Sequence, residues 1–212
     1  DGYELDAKIY KVTIDSETCQ EISAAAGTLI VSSEQPRRGA IGIEKRDSAT
    51  GTGQPLNENY SLDGAVYGVF ADADCTEKLR ELTIENGRAR TEKEFLFGDY
   101  WVKELKAPDG YELDAKIYKV TIDSETCQEI SAAAGTLIVS SEQPKYGAIE
   151  IEKRDARTGT SKPVNDRYVL DGAVYTIFGD ADCTEKLQEL TIKDGRARTE
   201  RNLPFGEYWV KE

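Results

Sequence analysis

Residues 97–114, FGDYWVKELKAPDGYELD, carry the reading on which the fold turns. In this stretch Tyr100, Val102 and Glu104 alternate with Trp101, Lys103 and Leu105. That is the period of two that sends successive side chains to opposite faces of a β-strand. Pro108-Asp109-Gly110 then reads as a turn, and alternation resumes beyond it. Working outward, the same test predicts strands over 40–46, 65–70, 81–84, 88–91, 98–105, 116–122 and 135–140. Asn86-Gly87 predicts a tight hairpin, residues 52–59 a loop, and no stretch longer than a turn or two has helical periodicity. The expected fold class is all-β, a sandwich of short strands.

Self-similarity sets the organisation. Residues 1–36 recur letter for letter at 109–144, and GAIGIEKRD from Gly39 returns as GAIEIEKRD from Gly147, both 108 residues on. Residues 37–144 are therefore read as one complete repeat, 1–36 as the closing strands of a preceding one, and 145–212 as the opening part of a following one. Both ends fall at the junction of VKE with DGYEL, the pattern expected of a window on a longer array. An incomplete sandwich exposes a sheet edge, so 1–36 of one molecule is expected to complete 145–212 of another by head-to-tail strand addition.

The composition narrows function. The chain has 40 acidic against 27 basic residues, a net charge of -13, and no His. Such a charge repels phosphate backbones, which excludes nucleic acid as a partner. No apolar run approaches the roughly 18 residues of a membrane span. Without His there is no Ser–His or Cys–His pair, and no phosphate loop or metal cluster takes its place; neither an enzyme nor a cofactor is expected. Asp72, Asp74 and Asp182 lack the spacing of a calcium loop and read as solvated loop acids. Cys19, Cys75, Cys127 and Cys183 stand far apart without a CxxC pair. Two readings of them stand: disulfides formed in an oxidising compartment, or buried free thiols.

Period-two alternation also produces an oddity. Ile41, Ile43 and Lys45 share one face of the first strand, and Glu104 follows Val102 on the inner face of the fifth. An amine and a carboxylate placed inside are costly unless they meet. The last strand is read with Leu137, Val139 and Ser141 on one face.

IEKRD, LDGAVYGVF and FGDYWVKELKAPDGYELD, in that order, resemble the B-type repeats of Gram-positive collagen adhesins and the SpaA-like pilin domains. The resemblance covers the whole repeat. It implies immunoglobulin- or transthyretin-like (prealbumin-like) β-sandwich repeats in tandem, on a Gram-positive cell wall outside the cell. Many members carry an isopeptide bond in which a first-strand lysine attacks a last-strand Asn or Asp, assisted by a buried acid. Lys45 matches the lysine and Glu104 the acid; Lys153 and Glu212 are their equivalents in the following copy. At the acceptor position stands Ser141 (Ser33 in the first fragment), and a hydroxyl has no carbonyl for an amine to attack. The alternatives are a bond through neighbouring Gln143 and a buried Lys45–Glu104 ion pair without cross-link. The family's sandwich would bring Cys75 and Cys127 to one pole, where a disulfide closing the 52 residues between them would contribute roughly 4 kcal/mol. Strand addition between molecules would pair Cys19 with Cys183.

Two functions follow from the resemblance. One is a stalk or spacer whose partners are the neighbouring repeats. The other is a repeat that itself binds a host extracellular protein such as a matrix protein, mucin or immunoglobulin, gaining avidity from multiplicity.

Overall fold

The structure, a computed structural model, describes residues 2–16, 18 and 21–212. Seven strands fall within residues 37–144: β1 (Gly42–Asp47), β2 (Val66–Phe70), β3 (Lys78–Thr83), β4 (Arg88–Arg90), β5 (Gly98–Lys106), β6 (Ile117–Ile122) and β7 (Leu137–Glu142). A single 3-10 turn, Thr126–Gln128, separates the last two. Five more strands come after them: β8 (Glu150–Glu152), β9 (Val174–Phe178), β10 (Lys186–Thr191), β11 (Arg196–Arg198) and β12 (Trp209–Lys211).

In the first set β3-β2-β5-β6 form one sheet and β4-β1-β7 the other; the second set forms β10-β9-β12 and β11-β8. The second pair of sheets thus repeats the first without the equivalents of β6 and β7. β1 and β4 are antiparallel, with Ile43 opposite Ala89. β1 and β7 run parallel: Gly42 N donates to Thr136 O at 2.8 Å, and six residues further along both strands Ser48 N donates to Glu142 O at 2.9 Å. Asn86 (φ 53°) and Gly87 (φ 72°) take the left-handed conformations that a two-residue hairpin matching strand twist requires.

The chain divides into two compact units. One comprises Asp1–Glu44, Val66–Leu105 and Ala115–Ser140; the other comprises Lys45–Ala65, Lys106–Asp114 and Ser141–Glu212. The first buries Ile41, Ile43, Val69, Ile84, Val102, Val120, Ile122 and Ile138. In the second, Tyr60, Leu62 and Tyr111 pack together with Leu56 against them.

Identical letters adopt two states. At 109–144 they supply β6, the 3-10 turn and β7, with Ile122 1% exposed. Among the described residues of 2–36 no strand forms, only the bridge Tyr3–Pro36, and Ile14, the counterpart of Ile122, is 76% exposed. A strand needs a partner edge for its backbone groups and a face on which to bury its apolar side chains. The segment at 109–144 has both, and 2–36 lacks them within this chain.

The seventh strand departs from expectation. It ends two residues later than predicted, and its buried residues are Ile138, Ser140 and Glu142, so Ser141 points to solvent. Leu137, Ile138 and Val139 are apolar in succession, so hydrophobicity alone does not settle which face turns inward. The polar contacts made by Ser140 and Glu142 settle it.

Candidate functional site

β1, with Ile41 just before it, turns Ile41, Ile43, Lys45 and Asp47 inward, and Arg46 stays outside. A wholly buried ammonium costs several kcal/mol unless a counter-charge and hydrogen bonds replace its water. Lys45 Nζ forms an ion pair with Glu142 Oε1, and both side chains are fully enclosed. This carboxylate is on β7, one residue past Ser141, at the acceptor end of the strand. Ser141 itself is solvent-exposed rather than on the inner face where alternation placed it, and its counterpart Ser33 is exposed as well.

Asp47 closes β1 and caps the turn after it. Its Oδ1 accepts from Ala49 N (2.7 Å) and Thr50 N (3.2 Å). Its Oδ2 accepts from the Tyr111 hydroxyl at 2.7 Å. Burial, and then this bond to Asp47, push the Tyr111 phenol well above its ordinary range, so it stays a donor. Tyr111 is the tyrosine of PDGYELD, and Gly110 before it (φ +88°) lies directly under Tyr60. A Cβ on Gly110 would come within 2.5 Å of that ring.

The other unit has buried polar groups of its own. Tyr67 on β2 donates to Ser140 Oγ on β7 at 2.9 Å. Glu104, on the inner row of β5 next to Val102, is 1% exposed. In the following copy Lys153 Nζ donates to Glu212 Oε1, and Tyr175, the counterpart of Tyr67, donates to Glu212 Oε2 at 3.0 Å. Glu212 holds the Lys153 ammonium above its ordinary value, and Lys153 holds Glu212 below.

An enclosed amine against a carboxyl is set up for amide chemistry only if both are neutral, with loss of water. The structure brings the Lys45 amine and the Glu142 carboxyl together as an ion pair. Sequence reasoning missed Glu142, Asp47, Tyr111, Tyr67 and Ser140. Tyr67 and Asp47 were accessible to it, since each lies two residues from a core position on its own strand, Val69 and Lys45 respectively.

The expected Cys75–Cys127 bridge is not made. Cys127 is buried in the 3-10 turn with Sγ toward Ser124 O (3.8 Å), while Cys75 sits in the β2–β3 loop with Sγ toward Ala73 O (3.9 Å). Each thiol is thus turned into its own loop, and burial pushes the Cys75 thiol up. Cys183 is also a free thiol; Cys19 lies outside the described residues. Asp72 accepts from Thr76 N and Glu77 N, which hold its carboxyl below the ordinary range; it organises a loop. Among the described residues no group of three His, Cys, Asp or Glu is placed to hold a metal. No helix among them is long and apolar enough to cross a membrane.

Comparison with known families matches residues 39–136 to the SpaA prealbumin-like fold domain. Residues 39–136 form a SpaA-like domain. Among solved structures, the chain is similar to the Bacillus anthracis TIE protein, at 23% identity and a TM-score of 0.56 over 84% of this chain. It also aligns with BcpA, the major pilin subunit of Bacillus cereus (18% identity, TM-score 0.40, 76% of this chain). A third is the C-terminal fragment of the pilus adhesin SpaC from Lactobacillus rhamnosus GG (15% identity, TM-score 0.42, 82% of this chain and 74% of that one). The chain spans 28% of the TIE protein and 52% of BcpA. A search of curated protein sequences gave no match. At 23% identity the likeness to the TIE protein speaks for the fold alone, and the fold of residues 39–136 is prealbumin-like.

Proposed function

We propose that the chain is a stalk segment of a cell-wall-anchored Gram-positive surface protein, pilin-like in build, in which each SpaA-like repeat is a load-bearing spacer. The observation that carries this reading is the parallel pairing of β1 with β7, the first and last strands of the repeat. Tension enters at the start of β1 and leaves at the end of β7. It therefore acts along the pair, and the cross-strand hydrogen bonds must fail together rather than one at a time. The buried Lys45–Glu142 pair ties the same two strands. On this reading it is a non-covalent fastening at the place where cross-linked members of the family carry an amide.

An extracellular spacer needs a soluble, non-adhesive surface, and the net charge of -13 suits that requirement. The test is direct binding of the purified 212-residue chain to immobilised matrix proteins, mucin and immunoglobulin. A spacer gives no saturable binding to any of them. Saturable binding that survives physiological salt would move the function to ligand capture.

A further inference from the structure

Tyr60 lies in the loop before β2 and is only 4% exposed, between two aromatic neighbours. It meets Tyr111 edge-on, with ring centroids 5.4 Å apart, and stacks on Phe205 at 5.0 Å with an interplanar angle of 18°. Phe205 belongs to the next period of the sequence, in the loop between β11 and β12. Its backbone is gripped as well. Phe205 N donates to the Tyr60 hydroxyl at 2.9 Å, and Phe205 O accepts from Asn57 Nδ2 at 3.0 Å and Asn59 Nδ2 at 3.2 Å. The Tyr60 hydroxyl in turn donates to Lys145 O at 2.6 Å, on the segment joining one period to the next.

The rings and one of the two amide donors of this contact recur at the 108-residue offset. Tyr168, Asn165 and Arg167 correspond to Tyr60, Asn57 and Asn59, and Phe97 corresponds to Phe205. Tyr168 is 60% exposed, against 4% for Tyr60. Phe97 packs against Gly2, the counterpart of the Gly110 that underlies Tyr60: a Cβ on Gly2 would stand 3.2 Å from the Phe97 ring. The chain therefore holds one filled contact and the two halves of others.

We propose that the Tyr60–Phe205 contact is the joint by which successive repeats dock, and that Tyr168 is the docking surface for the Phe97-type loop of a further copy of the repeat. The inference rests on the tandem-stalk reading. The occupant is identified by the filled joint: a stacked phenylalanine whose own amide and carbonyl are both bonded. The ring supplies buried apolar area, and the three backbone bonds fix the loop's orientation, so shape and polarity select the same loop. Arg167 keeps N–H donors where Asn59 stands, but on a longer side chain. The second joint thus differs from the first in the reach of one donor.

Amide hydrogen exchange on the full chain tests the joint. The Phe205 amide is expected to be protected, and Tyr60→Phe, which deletes only the hydroxyl, is expected to lower that protection roughly tenfold, the worth of one such bond. Asn57→Ala, which leaves the ring stack in place, is expected to lower it by a smaller factor. Tyr168→Phe, the same change on the open surface, is expected to leave Phe205 unaltered. An unprotected Phe205 amide in the parent chain, or equal effects from Tyr60→Phe and Tyr168→Phe, would overturn the proposal. The melting transition of residues 37–144, followed in parallel, keeps the two readings apart: a failed joint leaves it in place, whereas a failed sandwich abolishes it.

Discussion

Glu142→Ala is expected to destabilise the complete repeat by about 3–5 kcal/mol, measured by urea unfolding of the 212-residue chain. The substitution takes away a carboxylate paired with the Lys45 ammonium where both side chains are fully enclosed. Many small domains have little more than that in total, so the variant is expected to be largely unfolded at 37 °C. The paired replacement Lys45→Met with Glu142→Leu removes both charges at similar volume and is expected to recover most of the loss, because the desolvation penalty goes with the pair. If Glu142→Ala costs no more than a surface substitution, the pair is not what closes β1 onto β7. If the double replacement is as unstable as the single one, packing rather than the broken charge pair is responsible.

Gly110→Ala is the second large effect, about 2–4 kcal/mol, through backbone conformation and a steric clash together. At φ +88° any side chain is strained, and the added methyl would lie 2.5 Å from the Tyr60 ring. That ring has nowhere to go: Tyr111 meets it edge-on and Phe205 stacks on it. A displaced Tyr60 would also give up its bond to Lys145 O. The equivalent change at Gly2, where the nearest atoms are those of the Phe97 ring at 3.2 Å, is expected to cost clearly less. Equal costs at the two glycines would mean that backbone strain alone accounts for the effect.

Much of this architecture is legible from side-chain alternation. Ile41, Ile43 and Lys45 fall on the inner row of β1 as alternation requires, and Val102 leads to a buried Glu104 on β5. β7 resisted because three consecutive apolar residues fit either face. Its orientation depends on what Glu142 meets across the strand pair, and alternation within one strand carries no such information. The first 36 residues show a harder limit. Their letters are those of 109–144, so no property of the segment alone distinguishes a buried Ile122 from an exposed Ile14. Only the availability of a sheet edge does. The cysteines failed for a related reason: the family's fold places two loops at one pole, but the direction of each thiol is decided within its own turn. The aromatic joint was hidden because Tyr60 and Phe205 are 145 positions apart and sit in loops, where periodicity is silent.

The claim at the centre is that β1 and β7 form a non-covalent, shear-loaded clasp closed by Lys45 and Glu142. Pulling the chain from its two ends with a single-molecule force probe tests it most directly. The complete repeat is expected to yield in one cooperative event that releases roughly 350–390 Å of chain, the extended length of residues 37–144. An amide between Lys45 and Glu142 would leave almost nothing to release, and a Cys75–Cys127 disulfide would shorten the event by roughly 170–190 Å. Either result, or gradual extension without a distinct rupture force, would contradict the account.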